Sequence, residues 1–361
     1  MKSNCYHPMW YQRNRPYAKF AKQTVSKSGF TMNSLREIQE RIIREWNSAL
    51  ELNKIDKNQI STDLMPEISL ALYYGGFASS GYNLFSFAEP LGEMLANTNA
   101  SEVPIGMLKS PYPVYFIQFH RPFLWGKLEI AGCYIIDEPN VPALQILLVL
   151  KPINETAHWM ASPSGYFYLP LPREPEAPLG VLIQKTIDSE ISNKWEHATQ
   201  SMPIDDASVI DVREQRAKRE TMDLSSARFA IQESMEYVAN CLCYLSSHNE
   251  FKSDYPIDSP DSLVNIYQNG KTEKQKQKAQ SQLKSMGFLP ITYVNLSAEI
   301  SESSSQILDG AKSGKSIHWR RGHWRNQKKG KDLTITELVW IKPTLVGGSE
   351  VIDSVREYKV N

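Results

Sequence analysis

Three consecutive apolar segments constrain the fold of this chain more than any other feature of its sequence. Residues 114–119, 128–136 and 144–150 are runs of β-branched, aromatic and aliphatic residues, separated by short stretches that contain proline or glycine. Runs of this length are typical of buried strands, and short connections join strands that are adjacent and antiparallel. The sequence therefore predicts three neighbouring strands of one sheet, and residues 159–171 predict a further strand pair.

Helices are predicted before and after this sheet region. Ser34 and Glu37 fit a capping box at the start of the first helix, and apolar residues then recur every three or four positions. A second helix over residues 65–74 is expected to end at Gly75 and Gly76, because paired glycines favour chain reversal. Two more helices are predicted over residues 179–195 and 227–245.

Together these elements predict an α+β fold. A central, mostly antiparallel sheet would pack against several helices, and a C-terminal strand over residues 333–346 would complete the sheet. Composition divides the chain into three regions. They are a basic aromatic arm at 1–32, an α+β core at 33–300 with a subdivision at 200–223, and a basic loop with the closing strand at 301–361.

The formal net charge of zero conceals an uneven distribution of charge. Residues 1–36 contain seven Lys/Arg and no acid, and residues 312–331 contain eight Lys/Arg and no acid. The rest of the chain is consequently acidic. The two basic segments can fold back onto this acidic body, or they can offer a cationic surface to RNA or to an acidic protein.

Several classes of site have no support in the sequence. The chain has no glycine-rich phosphate loop, no dinucleotide-binding fingerprint and no serine-hydrolase elbow, so no cofactor is expected. Its four cysteines lack CxxC spacing, which argues against zinc and fits a reducing cytoplasm. The longest aliphatic run, residues 146–150, is too short to cross a membrane.

Residues 317–325 have the most informative composition, with two histidines, two tryptophans and three arginines in nine positions. Arginine forks and indole faces hold phosphates and stack on bases, as in an RNA-binding loop. The same residue types are enriched at the centres of protein interfaces. A third interpretation is structural, with the indoles in the core and the arginines paired to the acidic body. The sequence leaves these three interpretations open.

Five residues of this segment are predicted to bind peptide, ribosomal RNA or messenger RNA: Arg320, Arg321, His323, Trp324 and Arg325. Trp319 and Trp340 are assigned to packing. The alternative function is enzymatic, a metal-independent ribonuclease or toxin-like protein that uses His318 and His323 as acid and base. Their spacing of five does not place both on one face of a helix and does not match a zinc pair. Binding is therefore favoured over catalysis.

The tail also resembles a known family. Residues 318–325, followed by 339–343 and 346–348, are similar to the tail of type V-A anti-CRISPR proteins carried by phages and mobile elements. Looser similarity covers residues 113–116, 132–136 and 237–245.

That resemblance implies a counter-defence protein that lowers a CRISPR effector nuclease while the effector's message is translated. By the resemblance, it would recognise the nascent effector polypeptide in the cytoplasm of the bacterial host and cause loss of the mRNA. Its implied partners are that polypeptide, the ribosome or the message, and a host nuclease. Neither a membrane nor a cofactor is implied.

Overall fold

The computed structural model gives the arrangement of most of the chain. The structure describes residues 2–54, 64–125, 128–139, 141–152, 166–200, 224–248, 251–295, 318–330 and 334–346. The predicted loop at 301–316 lies outside these residues, and so does all but the first residue of the subdivision predicted at 200–223. None of the described helices is long and apolar enough to cross a bilayer.

The described helices are α1 (His7–Asn14), α2 (Ala18–Ser28), α3 (Met32–Leu52), α4 (Met65–Ser79), α5 (Glu89–Ala96), α6 (Leu179–Gln200), α7 (Leu224–Ser247), α8 (Asp261–Asn269) and α9 (Glu273–Ser285). The described strands are β1 (Leu84–Phe87), β2 (Thr98–Asn99), β3 (Val114–Trp125), β4 (Leu128–Ile136), β5 (Ala143–Pro152), β6 (Tyr166–Pro172), β7 (Lys252–Asp254), β8 (Ile291–Val294), β9 (His318–Arg320), β10 (Gly322–Lys329), β11 (Ile335–Ile341) and β12 (Thr344–Val346).

The α+β class and the mostly antiparallel sheet are confirmed. Seven strands form one large sheet in the order β6-β5-β4-β3-β1-β8-β7. The strands from β3 to β5 are joined as antiparallel neighbours, as their short connections predict, and β6 pairs antiparallel with β5. Of the strand pair predicted over residues 159–171, residues 159–165 lie outside the described part of the chain. Only β1 runs parallel to both of its neighbours, β3 and β8.

Helices cover both faces of the large sheet, and this explains why its strands are continuous apolar runs. Cys133 and Ile135 of β4 pack into a core that includes residues of α5, α6 and α7. Tyr134 and Ile136 point the other way, into a second core that includes residues of α1 to α4. A strand that is buried on both faces loses the alternation of apolar and polar residues that marks a half-exposed strand.

The predicted C-terminal strand differs in its position. Residues 333–346 contain two strands, β11 and β12, and Pro343 lies between them with no backbone N–H to donate. Neither strand joins the large sheet. β11 lies at one edge of a three-stranded sheet, here called the C-terminal sheet, whose order is β11-β10-β2. β12 pairs with β9 in a two-stranded sheet.

The N-terminal region also differs from its prediction as a basic arm. Residues 7–28 form α1 and α2, and their aromatic side chains are buried in the second core. The Glu67 carboxylate on α4 accepts hydrogen bonds from Tyr11 and Tyr17, and it pairs with the Arg15 guanidinium at 3.2 Å. This buried cluster fastens the N-terminal helices to α4.

The cap of α3 lies earlier than predicted. Helix α3 begins at Met32, and the Thr31 hydroxyl accepts the backbone N–H of Ser34 at 3.3 Å. The Ser34 hydroxyl, predicted as the cap, instead donates to the carbonyl of Gly29 at 2.6 Å. The predicted first helix is therefore present, with its cap three residues earlier, at Thr31.

His7 makes the stability of the fold depend on pH. Its ring is buried, and its Nδ1 lies 2.9 Å from the Tyr134 hydroxyl. Burial, and then the charge of Arg15, lower the pKa of His7 to about 3. In the unfolded chain the same group binds a proton near pH 6.5. Between these two pKa values the unfolded state holds more protons, so stability falls as the pH falls.

We expect the free energy of unfolding to decrease by about 1.4 kcal/mol per pH unit below pH 6.5 because of His7 alone. Urea unfolding at several pH values measures this slope, and His7→Gln should make it shallower by that amount. Burial also lowers the pKa of His120 and of His248, so those two groups add slope of the same sign in both proteins. Equal slopes for the two proteins would contradict the assignment.

Candidate functional site

Strand β10 carries most of the predicted site residues. It pairs antiparallel with β11 from His323 opposite Ile341 to Lys329 opposite Ile335. At its start it pairs parallel with β2, and the Gly322 N–H donates to the carbonyl of Asn97 at 2.9 Å. The short strand after α5 is therefore the element that receives the C-terminal hairpin.

Two tryptophans attach the inner face of the hairpin to α7 and β2. Trp324 is 6% exposed, and its ring stacks on Trp340 with centroids 5.8 Å apart. The Trp324 indole N–H donates to the amide oxygen of Asn240 on α7 at 2.8 Å. Asn240 in turn donates to the carbonyl of Thr98 at 2.9 Å, and the Trp340 N–H donates to the Thr98 hydroxyl at 3.1 Å. These buried hydrogen bonds join β2, α7, β10 and β11.

This network corrects the prediction that Trp324 projects outward as a contact residue. Successive side chains of a strand point to opposite faces, and Trp324 falls on the face that meets α7. Trp340 packs against the core, as assigned from the sequence. The side chain of Trp319 lies outside the described part of the structure.

Gly322 allows the backbone at the start of β10 to pack closely against Ile341 and Pro343. A Cβ atom at this position would lie 2.7 Å from Cδ of Pro343 and 2.8 Å from the carbonyl oxygen of Ile341. Both contacts are too short for any side chain. Glycine is therefore required between Arg321 and His323 for the strand to pack against the turn into β12.

The arginines of this segment lie on the outer face of β10 and immediately before that strand, together with His323. Arg320, Arg321, His323 and Arg325 are exposed. Among the described residues, no carboxylate lies within ion-pair distance of Arg320, Arg321 or Arg325, although Arg325 donates to the side-chain oxygen of Gln327 at 3.2 Å. Within the described structure, these three guanidinium groups are therefore available to bind a partner.

Aliphatic residues of β11 share this outer face with Glu337, which pairs with Lys329. Ile341 is opposite His323, and Val339 is opposite Arg325, so these pairs share the outer face of the sheet. Ile335, farther along β11, is 62% exposed. The outer edge of β11 pairs with no strand among the described residues. The face thus offers charge, apolar surface and free backbone groups together.

The catalytic alternative stays a prediction. His323 lies on β10 and His318 on β9, in two different sheets, and the side chain of His318 lies outside the described part. No described carboxylate contacts His323 to orient it as a base. Among the described residues there is also no group of three or more His, Cys, Asp or Glu side chains that could hold a metal ion.

A second cluster positions β2 and was not anticipated as part of the site. The His120 side chain is fully buried, and its Nε2 lies 3.2 Å from the Glu93 carboxylate on α5. Glu93 also pairs with Arg121 at 3.2 Å. Burial lowers the pKa of His120, and Glu93 opposes this effect. Because α5 leads directly into β2, this cluster fixes the strand to which β10 pairs.

Asn240 is the site residue that the sequence analysis missed. It is 1% exposed and lies among Val238, Ala239, Cys241 and Leu242 on the most apolar helix. An amide in such a run needs buried hydrogen-bond partners, since an unpaired one would cost about 1–3 kcal/mol. The polar amide within this apolar run was therefore the feature of the sequence that could have identified Asn240 as a site residue.

Comparison with known proteins identifies the family. A family model whose description is AcrVA2-like, the anti-CRISPR type V subtype A2 family, matches residues 85–348. A solved structure described as the crystal structure of AcrVA2 has a TM-score of 0.42 and 11% identity, over 93% of this chain and 96% of that chain. No curated protein matches. The matched residues include almost all of the described large sheet and the whole C-terminal sheet, and the chain belongs to the AcrVA2-like family of anti-CRISPR proteins.

Proposed function

We propose that this anti-CRISPR protein recognises the effector polypeptide of a type V-A CRISPR system while that polypeptide is being translated, and that loss of the effector mRNA follows. Family membership supports the counter-defence role and the effector as partner. The C-terminal sheet supports the mode of recognition. The proposed partners are the nascent polypeptide, the ribosome or message that carries it, and a host nuclease that removes the message.

The observation that carries the proposal is the free outer edge of β11 beside a row of unpaired cations. A nascent polypeptide has no folded surface, so only its backbone and successive side chains are available to a receptor. Addition of an extended segment to a sheet edge uses both, because backbone groups complete the ladder and alternate side chains contact the sheet face. Ile335, Val339 and Ile341 would receive the apolar side chains of such a segment.

The cations would select an acidic segment. Neighbouring strands lie about 5 Å apart, so the cations of β10 would lie about 10 Å from an added strand. This separation is close to the Debye length of about 8–10 Å at physiological salt, and the attraction is only partly screened. Arg320 and Arg321 precede β10 and would extend the same field.

We expect Arg321→Ala with Arg325→Ala to reduce capture of effector nascent chains by up to about thirtyfold. Each exposed charge pair contributes up to about 1 kcal/mol, and neither residue packs in the core. The measurement is recovery of ribosomes that display the effector polypeptide from a translating bacterial lysate, with and without RNase. Lys109→Ala with Lys185→Ala removes two exposed cations elsewhere and is the matched control.

Three outcomes would count against the proposal. One is recovery of only the full-length effector, and another is equal capture by the Arg321/Arg325 variant and the wild type. The third is an unchanged level of effector mRNA in cells that produce this protein. Cleavage of naked RNA by the purified protein, abolished by His323→Ala, would assign the loss of mRNA to this chain and not to a host nuclease.

A further inference from the structure

Two basic segments that are far apart in sequence meet at one surface. Residues 1–36 contain no acid, and residues 274–295 contain four lysines and no acid. The structure brings them together, because the side-chain amide of Gln12 donates to the carbonyl of Lys284 at 2.7 Å. The Arg13 guanidinium lies 4.3 Å from the ring centroid of Phe288. Helix α1 thereby adjoins α9 and the residues that follow it.

Tyr82 lies at the centre of this surface. The ammonium of Lys22 on α2 lies 4.7 Å from its ring centroid, and the ammonium of Lys284 on α9 lies 5.5 Å from it. Tyr82 has a positive φ of 66°, directly after Gly81 with a φ of 106°. A tyrosine in this conformation costs about 1–3 kcal/mol of strain and persists only where its surroundings impose it. The strained turn holds the ring between two lysines.

The two ammonium groups contact the Tyr82 ring but have no carboxylate partner among the described residues. Burial, and then the charge of Lys22, lower the pKa of Lys284. A like charge beside a partly buried cation is unfavourable, and an anion placed between them removes the repulsion.

Further lysines lie on the same two helices, and Glu273 is exposed at the start of α9. Lys19 on α2 is exposed, and Lys274 and Lys278 are exposed on α9. The lysine cluster is defined here as Lys19, Lys22, Lys274, Lys278 and Lys284. Within it, the ammonium groups of α2 and α9 flank a shared aromatic ring.

We propose that the lysine cluster binds single-stranded RNA through its phosphates. Lysines act as point charges that accommodate a chain of phosphates. A fixed group of unpaired cations matches a polymer with one negative charge per nucleotide better than it matches scattered acidic side chains. Helix α2 packs with the second core, whereas the C-terminal sheet docks on α7 in the first core. RNA and the effector polypeptide would therefore occupy separate surfaces.

The test is binding of a fluorescent single-stranded RNA, measured by anisotropy at several salt concentrations. For single strands, each phosphate contact contributes about 0.7 to the slope of log affinity against log salt. Lys22→Gln with Lys284→Gln should therefore reduce the slope by about 1.4 and weaken binding most at low salt. Lys109→Gln with Lys185→Gln should leave the slope unchanged.

Two further variants separate binding from folding. Lys22→Arg with Lys284→Arg keeps both charges and should restore the slope, and Lys19→Gln with Lys278→Gln changes exposed residues only and should also lower it. The proposal is overturned if the wild type does not bind RNA at low salt or if the Lys22/Lys284 and Lys19/Lys278 variants keep the full slope. It is also overturned if polyglutamate or anionic phospholipid vesicles bind more tightly than RNA. Nascent-chain capture tests the C-terminal sheet independently, so either proposal can fail alone.

Discussion

Trp324→Ala is expected to lower the free energy of unfolding by about 3–5 kcal/mol and to release the C-terminal sheet from α7. The substitution removes a buried indole that stacks on Trp340 and hydrogen-bonds to Asn240. It leaves a cavity between hairpin and helix, and it leaves the amide of Asn240 with one partner fewer. Urea unfolding measures the loss, and hydrogen exchange of β10 and β11 measures the release.

Trp324→Phe separates packing from hydrogen bonding. Phenylalanine retains most of the buried ring but has no N–H, so the side-chain oxygen of Asn240 loses its donor. The expected cost is about 1–3 kcal/mol, less than for alanine. Equal costs for the two substitutions would contradict the role of the hydrogen bond, and unchanged exchange of β10 in Trp324→Ala would contradict docking through this residue.

Gly75→Ala should destabilise the protein by about 3 kcal/mol through overpacking. A Cβ atom at this position would lie 2.7 Å from the carbonyl oxygen of Ala21 and 2.8 Å from Cγ2 of Val25. The first of these is a backbone atom of α2, so no side-chain rotation relieves the overlap. The two helices must separate, which disturbs the second core where α2 and α4 meet.

Gly76→Ala is the matched control for this substitution. A Cβ atom there would have Phe30 and Val114 as its nearest neighbours at 3.5 Å, which is ordinary contact. Alanine is also favoured over glycine within a helix by about 1 kcal/mol. The control variant should therefore be as stable as the wild type or more stable, as read from its urea midpoint. A reversed order of the two variants would refute this account of the helix crossing.

Gly75 shows why sequence alone misassigned the end of α4. Paired glycines predicted a helix end, whereas α4 continues to Ser79. Glycine is suited both to chain reversal and to close packing of backbones. Only the position of Ala21, which is distant in the sequence, distinguishes the two uses.

The same reasoning applies to the strands and the tail. The apolar runs that became β3, β4 and β5 were predictable because their composition and short connections are local properties. The face on which Trp324 lies depends on the register of β10 against β2 and β11. That register is fixed by contacts with α7 and Thr98, which no local pattern contains. Exposure of the neighbouring arginines follows from the same register.

The pairing of β10 with β2 also determines when, during its own synthesis, the protein can form the proposed recognition surface. The hydrogen bond from Trp340 to Thr98 joins residues 242 positions apart. Earlier parts of a chain fold as they emerge from the ribosome, and contacts of long sequence separation form late. The proposed recognition surface thus assembles only after β10 and β11 have been synthesised. A copy interrupted before β10 would carry no such surface, so the proposed recognition would wait until both strands of the hairpin have been made.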